Sequence, residues 1–206
     1  MSDPTGTVYI IDDDPSLRRA VARLCRSVGL TPRTLASARD FLEAGVTECP
    51  ACLVLDVRLP GLSGLDLQAE LAARNIRTPV VFITGHGDIP TSVQAMKAGA
   101  VDFLTKPFTD QNLITVVQEA LRRDARRQTA MLEHQAIHRR IDTLTPRERQ
   151  VFEKVIQGLL NKQIAAELGA SVQTIKIHRR RVMVKMQVTS VAELVQAAVR
   201  AGILKA

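Results

Sequence analysis

VYIIDDDP, residues 8–15, decides how the first half of this 206-residue chain is read. Four apolar residues run straight into three adjacent carboxylates, Asp12, Asp13 and Asp14. An apolar run of this length, bounded by a turn signal, reads as a buried strand. Carboxylates crowded at its end repel one another unless a positive charge joins them, or unless one of them caps the next helix. Pro15 suits the first position of such a helix, so Asp13 or Asp14 is a natural cap.

Working outward, similar apolar runs recur at CLVL (52–55), VVFI (80–83) and VDFL (101–104), with a weaker one near Pro32–Leu35. Helix-period segments lie between them. Leu17, Val21, Leu24 and Val28 share one helical face. Leu65, Leu67, Leu71 and Ala72 mark another, and Ser92–Ala98 and Leu113–Leu121 read the same way. Five strands alternating with five helices predict an α/β fold, a doubly wound parallel sheet covered on both faces. In such sheets ligands sit beyond the carboxyl ends of the strands.

Those carboxyl ends carry Asp12-Asp13-Asp14, Asp56, Thr84-Gly85-His86-Gly87 and Thr105-Lys106-Pro107. The fold brings them to one edge. Hard oxygen ligands with open positions suit Mg2+, and a bound divalent ion would supply the missing positive charge. Asp56 is then placed to act as a carboxylate nucleophile toward a phosphoryl group. Lys106 would stabilise charge on the transferring oxygens, and Thr84 would donate a hydrogen bond to one of them. The Lys106-Pro107 peptide is expected to be cis.

The charge is uneven. Residues 1–120 hold 11 Lys and Arg against 14 Asp and Glu, a net of −3, whereas residues 121–206 hold 17 against 7, a net of +10. An acidic front and a basic back predict two domains, the second a candidate for nucleic-acid binding. No Pro or Gly interrupts about Asn112–Arg140, which predicts that the fifth helix extends into a linker. Its apolar residues are too irregular for a coiled coil. Thr145-Pro146-Arg147-Glu148 reads as an N-cap, a first-turn proline and a reinforcing glutamate. Three short helices are expected after it: Asn161–Leu168, stopped by Gly169, then Val172–Met186 and Val191–Ala201.

The bulk numbers exclude some classes. No stretch of about 18 apolar residues without charges suggests a membrane span. MSDPTGT lacks the basic start and apolar middle of a signal peptide, so a cytoplasmic protein is expected. Cys25, Cys49 and Cys52 are too few and odd in number for a secreted disulfide scaffold. Cys49-Pro-Ala-Cys52 has a C-x-x-C spacing, but zinc would need two more good ligands and no second C-x-x-C or H-x3-H is expected to follow; Cys52 also opens an apolar run, so a structural thiol is the better reading.

VYIIDDDP, LVLDVRLPGLSGLDL, PVVFITGHGD and AMKAGAVDFLTKPF resemble the receiver domain of two-component response regulators, of the FixJ-like branch. The resemblance spans about residues 5–125. It implies a flavodoxin-like sheet with Asp56 as phosphoacceptor. It implies Mg2+ held by Asp13, by Asp12 through water, by Asp56 and by the backbone carbonyl of Arg58. Thr84 and Phe103 match the family's switch pair, although spacing alone makes Phe103 an ordinary core residue. Asp14 falls where the family varies and takes no metal role.

The second half, LTPRERQVFEKVIQGLLNKQIAAELGASVQTIKIHRRRVMVKM, contains a helix, a turn and a second basic helix. In a helix-turn-helix the second helix enters the major groove. Lys176 and Arg180 lie four apart, hence on one face. The stretch resembles the LuxR-type DNA-binding domain over about residues 142–206. That resemblance implies that Lys176, Ile177 and Arg180 face base edges, with Lys162, Thr174, His178 and Arg179 as phosphate or positioning contacts. His178 reads equally as a structural residue. Phe152, Glu153 and Lys154 depart from the family's more aliphatic pattern.

The domains expected are therefore a receiver at 1–125, a helical linker at 126–141 and a helix-turn-helix domain at 142–206. The function expected is a transcription regulator, not an enzyme in the usual sense, switched by aspartyl phosphorylation. The partners implied are a sensor histidine kinase, double-stranded promoter DNA, a second copy of the chain once phosphorylated, and RNA polymerase as a further candidate; no membrane is implied. Two rivals remain. Asp12 and Asp14 fit the Asp-x-Asp spacing of a haloacid-dehalogenase-like phosphatase, which leaves Asp56 and the basic half unexplained. A DNA binder indifferent to phosphorylation leaves the carboxylate cluster unexplained.

Overall fold

The computed structural model describes residues 6–46, 50–85 and 89–204. The chain divides into two compact units, Met1–Gln128 and Thr129–Ala206.

The first unit alternates β1 (Thr7–Ile11), α1 (Pro15–Ser27), β2 (Thr31–Leu35), α2 (Ala38–Ala44), β3 (Ala51–Asp56), α3 (Gly64–Ala73), β4 (Val80–Thr84), α4 (Ile89–Lys97), β5 (Asp102–Thr105) and the start of α5 (Asp110–Asp142). The strands form one parallel sheet in the order β2-β1-β3-β4-β5. β1, β3 and β4 are buried along their whole length, as near-continuous apolar runs in a sheet covered on both faces must be. Tyr9, Leu53, Leu55 and Phe82 pack on one face. Val8, Ile10, Val54, Val81 and Ile83 pack on the other. β2 is an edge strand and largely exposed, which is why TPRTL carries so faint an apolar signal.

Local chemistry sets the helix starts. Asp14 accepts the Ser16 amide as N-cap of α1, with Pro15 in the first turn. Ser37 with Asp40 and Ser63 with Asp66 form capping boxes at α2 and α3. The buried face of α1 is Val21, Ala22 and Cys25. Leu17 and Leu24 only flank it, and Val28 is a half-exposed C-cap residue. Cys25 and Cys52 are both fully buried free thiols. Burial pushes the Cys25 thiol up to about 11 and Cys52 higher still, so both are inert small hydrophobes. Cys49 lies outside the described residues.

The second unit contains the end of α5, then α6 (Pro146–Ile156), α7 (Asn161–Glu167), α8 (Val172–Met186) and α9 (Val191–Arg200). Its core gathers Val151, Phe152, Val155, Ile164, Ile175, Val182, Met186 and Leu194. Phe152, where the family resemblance weakens, is thus an ordinary core ring. Thr145 and Glu148 make the expected capping box, and Gly169 takes a positive φ of 59° just past α7. No single helix among the described residues is long and apolar enough to cross a membrane.

Candidate functional site

The parallel register places Asp12, Asp56, Thr84 and Lys106 at or just beyond the carboxyl ends of β1, β3, β4 and β5. Their side chains, with one exception, come from central buried strands, so the edge they share is walled by core. Asp12 is fully buried, Asp56 nearly so, and Asp13 is exposed. One oxygen from each of these three carboxylates lies within 4.8 Å of the other two.

The positive charge that the carboxylates require is partly present. Lys106 Nζ lies 2.6 Å from Asp56 Oδ2 and 2.8 Å from Asp12 Oδ2. Burial works to lower the Lys106 pKa, but hydrogen bonds and charge from the two carboxylates outweigh it, and the net shift is upward. Burial raises the Asp12 pKa against the pull of Lys106. The second oxygens are engaged as well. Asp12 Oδ1 accepts from the Asp14 amide at 2.8 Å, and Asp56 Oδ1 accepts from the Arg58 amide at 2.8 Å. Arg18 donates to the Asp12 carbonyl, which anchors the turn from below.

The three neighbouring aspartates therefore divide their work. Asp14 spends its carboxylate on capping α1, whereas Asp12 and Asp13 stand with Asp56. Three carboxylates against one ammonium leave an excess of negative charge. Hard oxygen donors with an open, solvent-facing side suit Mg2+, which keeps several of its waters.

Thr84 is buried at the end of β4, and its carbonyl accepts the Lys106 amide at 2.7 Å. Phe103 on β5 is half-buried, its ring 6.3 Å from that of Phe82 and tilted by 41°. The Lys106-Pro107 peptide is cis. His86 and Gly87 lie outside the described residues.

Gly64, which sequence reasoning passed over, opens α3 directly against the site. A Cβ there would overlap the Asp56 carbonyl oxygen and touch the Phe82 ring. Its signal in the sequence was its place just after the strand-end loop, in LPGLSGLDL.

In the second unit α8 presents Lys176, Ile177, Arg180 and Arg181 to solvent. Lys162 on α7 and Thr174 on α8 are also exposed. Thr174 belongs to the helix start, where its amide and hydroxyl meet the hydroxyl of the N-cap Ser171. Arg179 does not reach out. It donates to Asn161 Oδ1 at 2.9 Å, tying α8 to the first turn of α7. His178 is half-buried, with its Nδ1 enclosed and unpaired among the described residues. Beneath this surface Glu148, almost fully buried, receives Lys185 Nζ at 2.6 Å, and the same ammonium donates to the Thr143 carbonyl at 2.8 Å. Arg147 donates to the Leu168 carbonyl at 2.6 Å, closing the turn between α7 and α8 onto α6.

Comparison with known proteins agrees on both halves. Residues 8–118 match the family described as "Response regulator receiver domain", and residues 142–198 match "Bacterial regulatory proteins, luxR family". Nodulation protein W of Bradyrhizobium diazoefficiens is 50% identical over 95% of this chain and 86% of its own. The transcriptional regulatory protein FixJ of Azorhizobium caulinodans is 45% identical over 97% of this chain and 94% of its own. Among solved structures, the response regulator StyR superposes with a TM-score of 0.85 at 45% identity, covering 95% of this chain and 98% of that one. Full-length FixJ from B. japonicum does so with a TM-score of 0.59 at 43% identity, covering 97% and 98%. The chain belongs to the two-component response regulators, transcriptional regulators that join a receiver domain to a LuxR-type DNA-binding domain.

Proposed function

We propose that Asp56 accepts a phosphoryl group from a sensor histidine kinase and that this switches DNA binding by the second unit. The observation that carries the reading is the convergence of Asp12, Asp13, Asp56 and Lys106 at one end of the sheet. Asp56 offers a carboxylate oxygen to the phosphorus of a phosphohistidine. The P–N bond breaks, its electron pair returns to the imidazole, and an acyl phosphate forms on Asp56. Asp13, Asp56, Asp12 and the Arg58 carbonyl would hold Mg2+, which would supply positive charge to the phosphoryl oxygens. Lys106 adds a cation of its own, and Thr84 donates a hydrogen bond to one of those oxygens. Asp12 is a poor rival nucleophile, because it is fully buried, whereas Asp56 keeps some exposure.

The acyl phosphate adds a charge near −2. It draws Thr84 and Lys106 toward itself, and the ring of Phe103 follows behind Thr84. The surface this biases includes Ile89, Val93 and Met96, which are 79%, 43% and 45% exposed at helical spacing along α4. A second phosphorylated copy covers that stripe. The paired LuxR-type domains then read promoter half-sites about one helical turn apart. Lys176, Ile177 and Arg180 face base edges, and Lys162 contacts phosphate. Arg179 acts through Asn161 as a positioning residue. The receiver is taken as residues 1–125 and the DNA-binding domain as 142–206, with the helix between them as linker.

The test is an intact mass after incubation with Mg2+ and a small acyl phosphate, followed by DNA binding in both states. One phosphoryl group on the wild type and none on Asp56→Asn is the expected result. Incorporation that survives Asp56→Asn would move the nucleophile to another residue. Equal DNA affinity in both states would favour a regulator indifferent to phosphorylation.

A further inference from the structure

Away from both sites, the final turns of α5 carry His134 and His138, one helical turn apart. Their rings stack at 4.5 Å between centroids with a 41° tilt. His138 Nε2 lies 3.0 Å from the carbonyl of Ala201, the C-cap residue of α9. A carbonyl only accepts, so Nε2 carries the proton, and the neutral ring keeps its lone pair on Nδ1. Donation from one ring nitrogen to a backbone carbonyl is the arrangement that orients a ligating histidine and fixes its tautomer. His134 is exposed and His138 half-buried, so the pair is reached from solvent.

The spacing of the rings is close to that of a pair sharing an ion. An imidazole nitrogen binds zinc at about 2.0–2.1 Å, which sets two rings on one tetrahedral ion roughly 5 Å apart between centroids, so the exposed His134 ring has to open by only about 1 Å. Two histidines at i and i+4 on a helix are a recurring zinc-binding pair. Imidazole suits zinc, nickel and copper, whereas Mg2+ prefers oxygen. The surrounding charge moderates the affinity. Glu133 is the near carboxylate, 3.8 Å from Arg200, and Arg139 and Arg140 follow on the same helix.

We propose that His134 and His138 form a binding site for a divalent transition-metal ion, with zinc as the reference case. Two protein ligands leave the remaining positions to water, so the ion exchanges. Binding clips the last turns of α5 to a ring that is already anchored on the end of α9. The metal thus stiffens the helix where it enters the DNA-binding unit.

The full-length protein, held in excess Mg2+ to occupy the carboxylate pocket, is titrated with Zn2+ by calorimetry. One ion per chain is expected in the wild type. His134→Phe, which keeps an aromatic ring but removes a ligand, should weaken binding by about tenfold or more, as should His138→Gln. In proton NMR of the wild type, two of the four histidine rings should respond to zinc. Absence of saturable binding overturns the proposal. So does binding that His134→Phe leaves unchanged, because that exposed position is substituted without disturbing the core.

Discussion

Lys106 Nζ and Asp56 Oδ2 lie 2.6 Å apart, although 50 residues of chain separate them. The same ammonium reaches Asp12 across 94 residues. One lysine thus compensates two buried carboxylates that the sheet has forced together. Lys106→Met would leave both without a cation. Loss of a buried partner costs about 1–3 kcal/mol, so the metal-free variant should melt lower than wild type. Mg2+ would replace part of the lost charge, so the rise in Tm on adding Mg2+ should be larger in the variant. Thermal unfolding with and without Mg2+ measures both effects.

Gly64→Ala tests how tightly the site is built. The new methyl would meet the Asp56 carbonyl, which is backbone and cannot swing aside. Overpacking of this kind costs about 1–3 kcal/mol, to be seen as a lower urea midpoint for the receiver. Gly61, with open space around it, is the control. Alanine there pays only the backbone term for its φ of 80°, about 1–2 kcal/mol, without displacing Asp56. Phosphoryl incorporation should therefore fall in Gly64→Ala and hold in Gly61→Ala.

The Glu148–Lys185 pair makes the second unit sensitive to acid. The Lys185 ammonium and then the Thr145 amide hold the Glu148 carboxyl below its ordinary value of 4.5. A depressed folded pKa gives stability that is complete above the unfolded value and is lost as pH falls through the folded one. The melting temperature of this unit should be flat from neutral pH to about 5 and then decline. Lys185→Met should destabilise it at pH 7 by about 1–3 kcal/mol and flatten the acid limb. An unchanged pH profile in the variant would remove Glu148 as the source.

On DNA, exposed and engaged arginines should behave differently. Arg180→Ala should cost about 1–3 kcal/mol on the specific site and relax preference at one base pair. Lys162→Ala should weaken all sequences alike and reduce the salt slope by about one. Arg179→Ala should act through the fold, lowering thermal stability as its bond to Asn161 is lost. Fluorescence anisotropy over a salt series, beside a melting curve, separates the three.

The α4 stripe can be charged without touching the core. Met96→Glu should leave phosphoryl incorporation intact while abolishing the phosphorylation-linked change in size. Light scattering on both phosphorylated proteins decides it. Dimer formation by the variant would move the contact elsewhere.

Much of this was legible in the sequence. The apolar runs of β1, β3 and β4 are unmistakable because central parallel strands are buried on both faces. β2 was faint because an edge strand can be polar. The Thr145–Glu148 capping box was readable because its partners lie three residues apart. His134 and His138 do form an H-x3-H pair, contrary to the expectation that none follows Cys52. Other features had no local signal. Asp124 sits buried on α5 and accepts the Ala51 amide 73 residues away, and nothing near either residue announces the pairing. The bond from Arg179, expected as a phosphate or positioning contact, to Asn161 had no local signal either, because the two lie 18 residues apart.

The sequence by itself determined the strand and helix periods, the caps, the uneven charge and the set of groups at the strand ends. These depend on neighbours within a turn or two, where propensity and hydrogen bonding are local. Only the tertiary structure decided which aspartate caps and which join the cluster, and which lysine and arginine are already paired. It also decided that the strands lie in the order β2-β1-β3-β4-β5. Those outcomes are distances between residues tens of positions apart, and the packing of the sheet against its helices sets them.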